Sequence, residues 1–295
     1  MAELLAESPI AFAVIAFLFA LLIGSFLNVV IYRLPIMMYR EWHDQCKELA
    51  DADTPKLPEQ PFNLVLPRSA CPHCGAQITA WQNIPVVSYL LLGGRCGGCK
   101  KKISKRYPLV ELLTAILATV CAVRLGFGFE AIMAIGLTFA LVAISLIDYD
   151  HQLIPDSIVI PLVWVGLGMS LFHGTSVGGT VLFVSPTDSI IGAIAGYLSL
   201  WSVYKLFKLI TGKEGMGYGD FKLLAALGAW LGWQSIHMII LLSAVVGAIF
   251  GIAMIVLRGR DRQLPIPFGP YLAAAGWVTM LWGEQMWNAY LDKFA

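Results

Sequence analysis

The chain has 295 residues, of which 58% are apolar and 13% charged, about half the charged share usual in soluble domains. Mean hydropathy is +0.74, and twenty Lys and Arg against nineteen Asp and Glu leave a net charge of +1. These figures exclude a disordered chain, a secreted disulfide miniprotein and a basic nucleic-acid binder. They predict an all-α polytopic membrane protein embedded in lipid.

A helix needs about 20 apolar residues to cross a bilayer. In chain order, the first such run is Ile10–Tyr32, stopped by Arg33. It is preceded by Glu3 and Glu7 and no Lys or Arg, so it lacks the basic start of a cleavable signal peptide. Next come Pro108–Val123, Ala131–Ile147, Ser157–Phe172 and Ser189–Tyr204. Leu223–Leu257 is uncharged and too long for one span, and Gly232-Trp-Gln-Ser235 in its middle reads as a tight turn between two. Leu264–Gly283 is the last run. The expectation is about eight transmembrane helices.

Charge sets their orientation. With both termini periplasmic, segments 33–107, 148–156, 205–222 and 258–263 face the cytoplasm and hold eighteen of the twenty Lys and Arg. Only Arg124 and Lys293 fall outside, which is the positive-inside pattern. The predicted organisation is a first span at 1–32, a cytoplasmic insert at 33–107 and a seven-helix bundle at 108–295. The insert opens on a mixed-charge stretch, Arg40–Glu59, and Pro55, Pro58, Pro61 and Pro67 predict irregular structure in and after it.

Within the insert, Cys71-Pro-His-Cys74 and Cys96-Gly-Gly-Cys99 form two C-x2-C knuckles separated by 21 residues. Two such knuckles can set four thiolates around one zinc ion. Gly75, Gly97 and Gly98 suit the turns this requires. A reducing compartment disfavours disulfides, and four protein ligands leave no open position for catalysis, so the expected zinc is structural. Redox thiols and an iron–sulfur centre are the alternatives. His73 could compete as a ligand, and Cys46 and Cys121 stand apart.

Carboxylates in or beside membrane spans are expensive and call for a functional hypothesis. Glu111, Asp148, Asp150 and Asp220 stand out. Asp148 ends one predicted span and Asp220 begins another on the same face, so packing of the two helices would let their carboxyls converge. Such a pair holds one proton and one base, the arrangement of an aspartic protease. Gly215-Met-Gly217-Tyr-Gly219-Asp220 would give backbone or substrate close access. The plain alternative makes both aspartates helix caps or interfacial charges. Asp150 reads as a loop charge, Asp156 as a cap for the span beginning near Ser157, and Glu111 as an interior hydrogen-bonding residue. No Gly-x-Ser-x-Gly or His-Glu-x-x-His motif is present.

These features resemble the type IV prepilin peptidase family, the bifunctional leader peptidase/N-methyltransferases. The matches run in order: Gly24-Ser-Phe-Leu-Asn28-Val-Val-Ile-Tyr-Arg33-Leu-Pro35, the two cysteine knuckles, Tyr107-Pro-Leu-Val-Glu111-Leu, Asp148-Tyr-Asp-His-Gln-Leu-Ile-Pro155-Asp156 and Gly217-Tyr-Gly219-Asp220-Phe-Lys222. The resemblance implies a G-x-G-D aspartic peptidase of the bacterial inner membrane, working at the cytoplasmic face. It implies that Asp148 and Asp220 are the catalytic pair. Asp148 is selected over Asp150 because it lies seven residues before Pro155. Gly217, Gly219, Lys222 and Glu111 are then supporting motif residues. The implied substrates are type IV prepilins and pseudopilins, cut after a glycine. The implied second step methylates the new N-terminal residue with S-adenosylmethionine, located by resemblance to Gly24–Pro35 and the zinc-bearing insert.

The acids Glu41, Asp44, Glu48, Asp51, Asp53 and Glu59 could attract a basic leader or form a solvated face. Two other readings compete. One is a non-enzymatic membrane scaffold docking partners through its zinc insert. The other is a small transporter, against which the acids lie at one face rather than along a midplane path.

Overall fold

The computed structural model of the chain describes residues 2–49, 61–173, 184–258 and 267–294. Two compact units divide it, Met1–Val123 and Arg124–Ala295. Among the described residues there is no strand, only two isolated bridges.

The first unit begins with α1 (Ala2–Glu7) and α2 (Pro9–Leu49). At about 1.5 Å per residue, the 41-residue α2 is about 62 Å long, twice the hydrocarbon core. The helix therefore does not stop at Arg33, as the charge suggested. Arg33 is buried, and its guanidinium donates to the backbone carbonyls of Asn63 (2.9 Å) and Pro67 (2.6 Å), which satisfy it inside the unit. The helix also passes through Pro35, which removes a backbone donor but fits within the long helix. Arg40–Leu49, the first part of the mixed-charge stretch, is thus helical, with Glu41 and Asp44 exposed along it. Asp51, Asp53, Pro55, Pro58, Glu59 and the side chain of Glu48 lie outside the described residues.

After α2, residues 61–105 are mostly irregular, with a 3-10 turn at Ala80–Asn83 and a short α3 (Val87–Leu91). The unit then enters α4 (Arg106–Leu125). Helices α2 and α4 approach closely at Gly24, where a Cβ would sit 2.8 Å from the Glu111 Cα. Asn28 Nδ2 spans the same contact, donating to the carbonyls of Gly24 (3.3 Å) and Tyr107 (3.2 Å). Gly24 and Asn28 thus serve helix packing.

The second unit comprises α5 (Phe129–His151), α6 (Asp156–Met169), α7 (Pro186–Thr211), α8 (Tyr218–Leu231), α9 (Ile236–Arg258) and α10 (Gly269–Phe294). Its centre is α8, buried from Asp220 to Leu231 except at Lys222. A helix apolar on every side is an interior helix, and α6, α7, α9 and α10 all pack on this one. Small residues let α7 come close: a Cβ on Gly196 would lie 2.6 Å from the Leu224 carbonyl oxygen, and one on Gly192 would meet the Gly228 carbonyl. From α6, the Leu162 carbonyl accepts the Trp230 indole N–H at 2.9 Å. Between α10 and α5, Trp277 donates to Thr138 Oγ1 at 3.0 Å. Gly232, with φ of 79°, turns the chain from α8 into a 3-10 turn at Trp233–Ser235 and then α9, as expected of that tetrapeptide.

Each apolar run of the sequence has its helix, namely α2 and α4 to α10. Among the described residues, five helices are long and apolar enough to cross a membrane: Pro9–Lys47, Arg106–Leu125, Phe129–His151, Pro186–Thr211 and Trp233–Met254. The chain is therefore a multi-pass membrane protein. Helices α6 and α8 have 14 residues each, about 21 Å. Both are shorter than the hydrocarbon core. The start of the last run, the basic segment 259–263 and most of the loop at 173–188 lie outside the described residues.

Candidate active site and cysteine cluster

The four knuckle cysteines meet in the first unit. A bridge closes each knuckle, Ala70 with Gln77 and Arg95 with Lys102. The Cys71 and Cys96 N–H groups donate to Ala76 and Lys101 carbonyls, both at 2.9 Å. Each turn then needs a left-handed residue four positions after its first cysteine. Gly75 supplies it in one knuckle (φ 70°), and Lys100 in the other (φ 60°). Gly97 and Gly98 do not have positive φ; Gly97 instead leaves room for the Gln82 side chain, whose Nε2 would lie 2.8 Å from a Cβ there.

The Cys71 and Cys99 sulfurs are 3.8 Å apart and those of Cys74 and Cys96 4.0 Å, and all four lie within 4.8 Å of one another. A tetrahedral zinc with bonds of about 2.3 Å has sulfurs about 3.8 Å apart. A disulfide would hold them at about 2.05 Å. The donor set therefore fits a metal ion. His73 is not in the cluster; its Nδ1 faces Lys101 Nζ at 3.5 Å. Backbone N–H groups of His73 and Cys74 bring the Cys71 thiol down to about 6. Against a lowering bond from the Lys101 backbone, burial and the other three sulfurs push Cys99 up to about 11.

The acidic pair occupies the second unit. Asp148 sits in the last turn of α5, which ends when Gln152 takes a left-handed conformation (φ 54°) and donates to the Asp148 carbonyl at 2.8 Å. Asp220 sits in the first turn of α8, which Gly217 opens with an extended backbone. Both carboxyls are buried, 6% and 7% exposed, yet both line one cavity of about 410 Å³. Asp148 Oδ2 accepts the Gly269 N–H at 3.0 Å, whereas buried Asp220 Oδ1 has no partner. Gly219 also lines the cavity, and a Cβ on it would lie 2.6 Å from the Ile154 Cβ. A carboxyl pair facing a cavity can pass a proton in each direction, the requirement for adding water to a carbonyl.

The remaining predicted residues fall elsewhere. Lys222 is not among the residues lining the cavity and pairs with both oxygens of Asp156 at 2.7 Å. Asp156 is itself the first residue of α6, with Pro155 in the cap position, so it is an ion-pair partner rather than the cap. Glu111 belongs to the first unit, where its carboxylate accepts the Val86 N–H at 2.8 Å, an interior hydrogen bond as expected.

Comparison with known proteins follows the same division. Residues 18–125 match the bacterial peptidase A24 N-terminal domain, and residues 135–252 match the type IV leader peptidase family. A prepilin leader peptidase/N-methyltransferase of Stutzerimonas stutzeri is 54% identical, covering 98% of this chain and 97% of the relative. Proteins of the same name from Aeromonas hydrophila (53% identity; 99% and 98% coverage) and Pseudomonas aeruginosa (54%; 98% and 97%) match as completely. The chain belongs to the type IV leader peptidase family. No solved structure matches it.

In this leader peptidase, two residues of the site escaped sequence reasoning, Gly269 bonded to Asp148 and Glu214 in the cavity wall. Gly269 carried no signal, because its role lies in a backbone N–H. Glu214 Oε1 accepts from Lys208 Nζ at 2.6 Å and from the Tyr204 hydroxyl at 3.3 Å, and the Lys208 hydrogen bond holds the carboxyl below its usual range. That clasp ties the end of α7 to the glycine-rich approach to α8. Its signal was the four-to-six-residue spacing of Tyr204, Lys208 and Glu214, legible only once α7 was known to end at Thr211.

Proposed function

We propose that the chain cleaves the leader of type IV prepilins and pseudopilins after a glycine, at the cytoplasmic face of the bacterial inner membrane. It then methylates the new N-terminal residue with S-adenosylmethionine. The shared name of relatives matched over nearly the whole length supports both activities. The observation carrying the peptidase half is that Asp148 and Asp220, 72 residues apart in sequence, line one cavity.

The chemistry of such a pair begins with one carboxylate ionised and the other protonated. The ionised carboxylate takes a proton from water as the water oxygen bonds to the scissile carbonyl carbon. The protonated carboxyl gives its proton to the carbonyl oxygen. The resulting gem-diol collapses as the first carboxyl protonates the amine nitrogen and the C–N bond breaks. A gem-diol hydroxyl then returns a proton to the second carboxylate, restoring the starting pair. Eighteen of twenty cations in the segments assigned to the cytoplasm support N-out, C-out topology with this cavity at the cytoplasmic face.

Cys71, Cys74, Cys96 and Cys99 would hold a structural zinc, which supplies folding energy to the insert and no step of hydrolysis. For the methyl donor, the first unit offers a cavity of about 280 Å³ lined by Arg40, Pro61, Phe62, Leu66 and Pro67. The Phe62 ring there is already capped by the Arg40 guanidinium, 4.3 Å from its centroid. The space lies at the small end of the roughly 300–1,000 Å³ of pockets that enclose such ligands.

Mass spectrometry of a co-expressed prepilin reads both activities, as leader loss and one added methyl group. Asp148→Asn and Asp220→Asn should each leave the leader attached while the protein remains inserted. Normal processing by either purified variant refutes the pair.

A further inference from the structure

We infer that Gly269 is a positioning residue for leader cleavage: its backbone N–H orients Asp148, and its lack of a side chain leaves the space in which that carboxylate sits. The inference rests on the aspartate pair proposed above. Gly269 is the first residue of α10, so its N–H is among those a helix leaves without an internal partner. It donates to Asp148 Oδ2 at 3.0 Å within the buried interior, across 121 residues of sequence. Asp148 lies in the last turn of α5, where the helix dipole opposes a carboxylate. The N-terminus of α10 opposes that effect through a direct hydrogen bond. With Oδ2 so engaged, the other oxygen is the one free to exchange a proton.

Space is as constrained as direction. A Cβ at position 269 would lie 2.6 Å from Asp148 Oδ2, 3.1 Å from its Cγ and 3.0 Å from Ile154 Cδ1. Any side chain therefore turns the carboxylate off its donor. Ile154 is also the residue against which Gly219, next to Asp220, is packed. One isoleucine is thus seated between the backbones that support the two carboxyls.

Ile154→Val separates positioning from packing. It removes the Cδ1 that crowds position 269 but leaves the collision with Asp148. The full-length enzyme would be purified as Gly269→Ala, Ile154→Val, the double variant and Asp148→Asn. Steady-state cleavage of a prepilin would be measured, together with thermal denaturation and methylation of a pre-cleaved substrate. Loss of a hydrogen bond to a charged group predicts a fall in kcat of about 10- to 100-fold for Gly269→Ala, with KM within about twofold. The same fall should appear in the double variant relative to Ile154→Val. A packing role alone predicts recovery in the double variant. The inference is overturned by that recovery, by an unchanged kcat, by a loss confined to KM, or by failure of both Gly269 variants to fold. If Asp148→Asn cleaves normally, the aspartate pair itself fails. If Asp148→Asn is inactive while Gly269→Ala is normal, only the positioning role fails.

Discussion

The lysine that follows Gly217-Tyr-Gly219-Asp220 by two residues could be read as part of the chemistry, and its geometry argues otherwise. Lys222 Nζ lies 2.7 Å from both oxygens of Asp156, joining the N-terminal ends of α8 and α6. The two side chains are 32% and 52% exposed, so water can solvate either partner when the other is removed. Exposed pairs contribute about 0.2–1 kcal/mol after screening. At about 1.4 kcal/mol per tenfold, even the upper figure is only about a fivefold effect if carried wholly into the rate. Lys222→Met and Asp156→Asn should therefore each lower kcat/KM for a purified prepilin by no more than about fivefold. The double variant should be no worse than the worse single one, because both lose the same bond. Detergent-solubilised enzyme and quantitative mass spectrometry of the cleaved substrate suffice for the cycle. A loss of a hundredfold or more in folded Lys222→Met, with Asp156→Asn near normal, would refute the reasoning. It would mean that the ammonium acts on the substrate or the aspartates.

Two further outcomes test the frame around the site. Gly228→Ala should push α7 from α8, since its Cβ would meet the Gly192 carbonyl. Overpacking of this kind costs about 1–3 kcal/mol, and a lowered thermal midpoint with reduced cleavage is expected. Gly168→Ala in α6, which has no atom within 4 Å of the added methyl, is the matched control and should be neutral or stabilising; equal losses in both would show that close helix approach is not the cause. Cys74→Ser should lower zinc measured by atomic emission from one ion per chain, and should impair methylation while largely sparing cleavage. Proportional loss of both activities would tie the cysteine cluster to the peptidase chemistry.

What the sequence disclosed, and what it withheld, divides along physical lines. Features written in side-chain chemistry were legible. The apolar runs located α2 and α4 to α10, and the paired knuckles assembled four sulfurs in one cluster. The two acids at span ends converge on one cavity. Features written in backbone or long-range geometry were not. Arg33 looked like a stop because a charge in a helix normally seeks water, but Asn63 and Pro67, 30 and 34 residues away, supply carbonyls to it. Lys100 occupies the left-handed position that Gly75 fills in the other knuckle, a role that a lysine side chain does not signal. Asp156 resembled a cap until its partner 66 residues later was known. Gly269 is the extreme case, because a glycine N–H has no sequence signature and its acceptor lies 121 residues earlier. The acidic pair can be found by asking which charges have no other duty. The group that aims Asp148 can be found only from the fold, which is why a glycine at a helix start is predicted to be a sensitive position for cleavage.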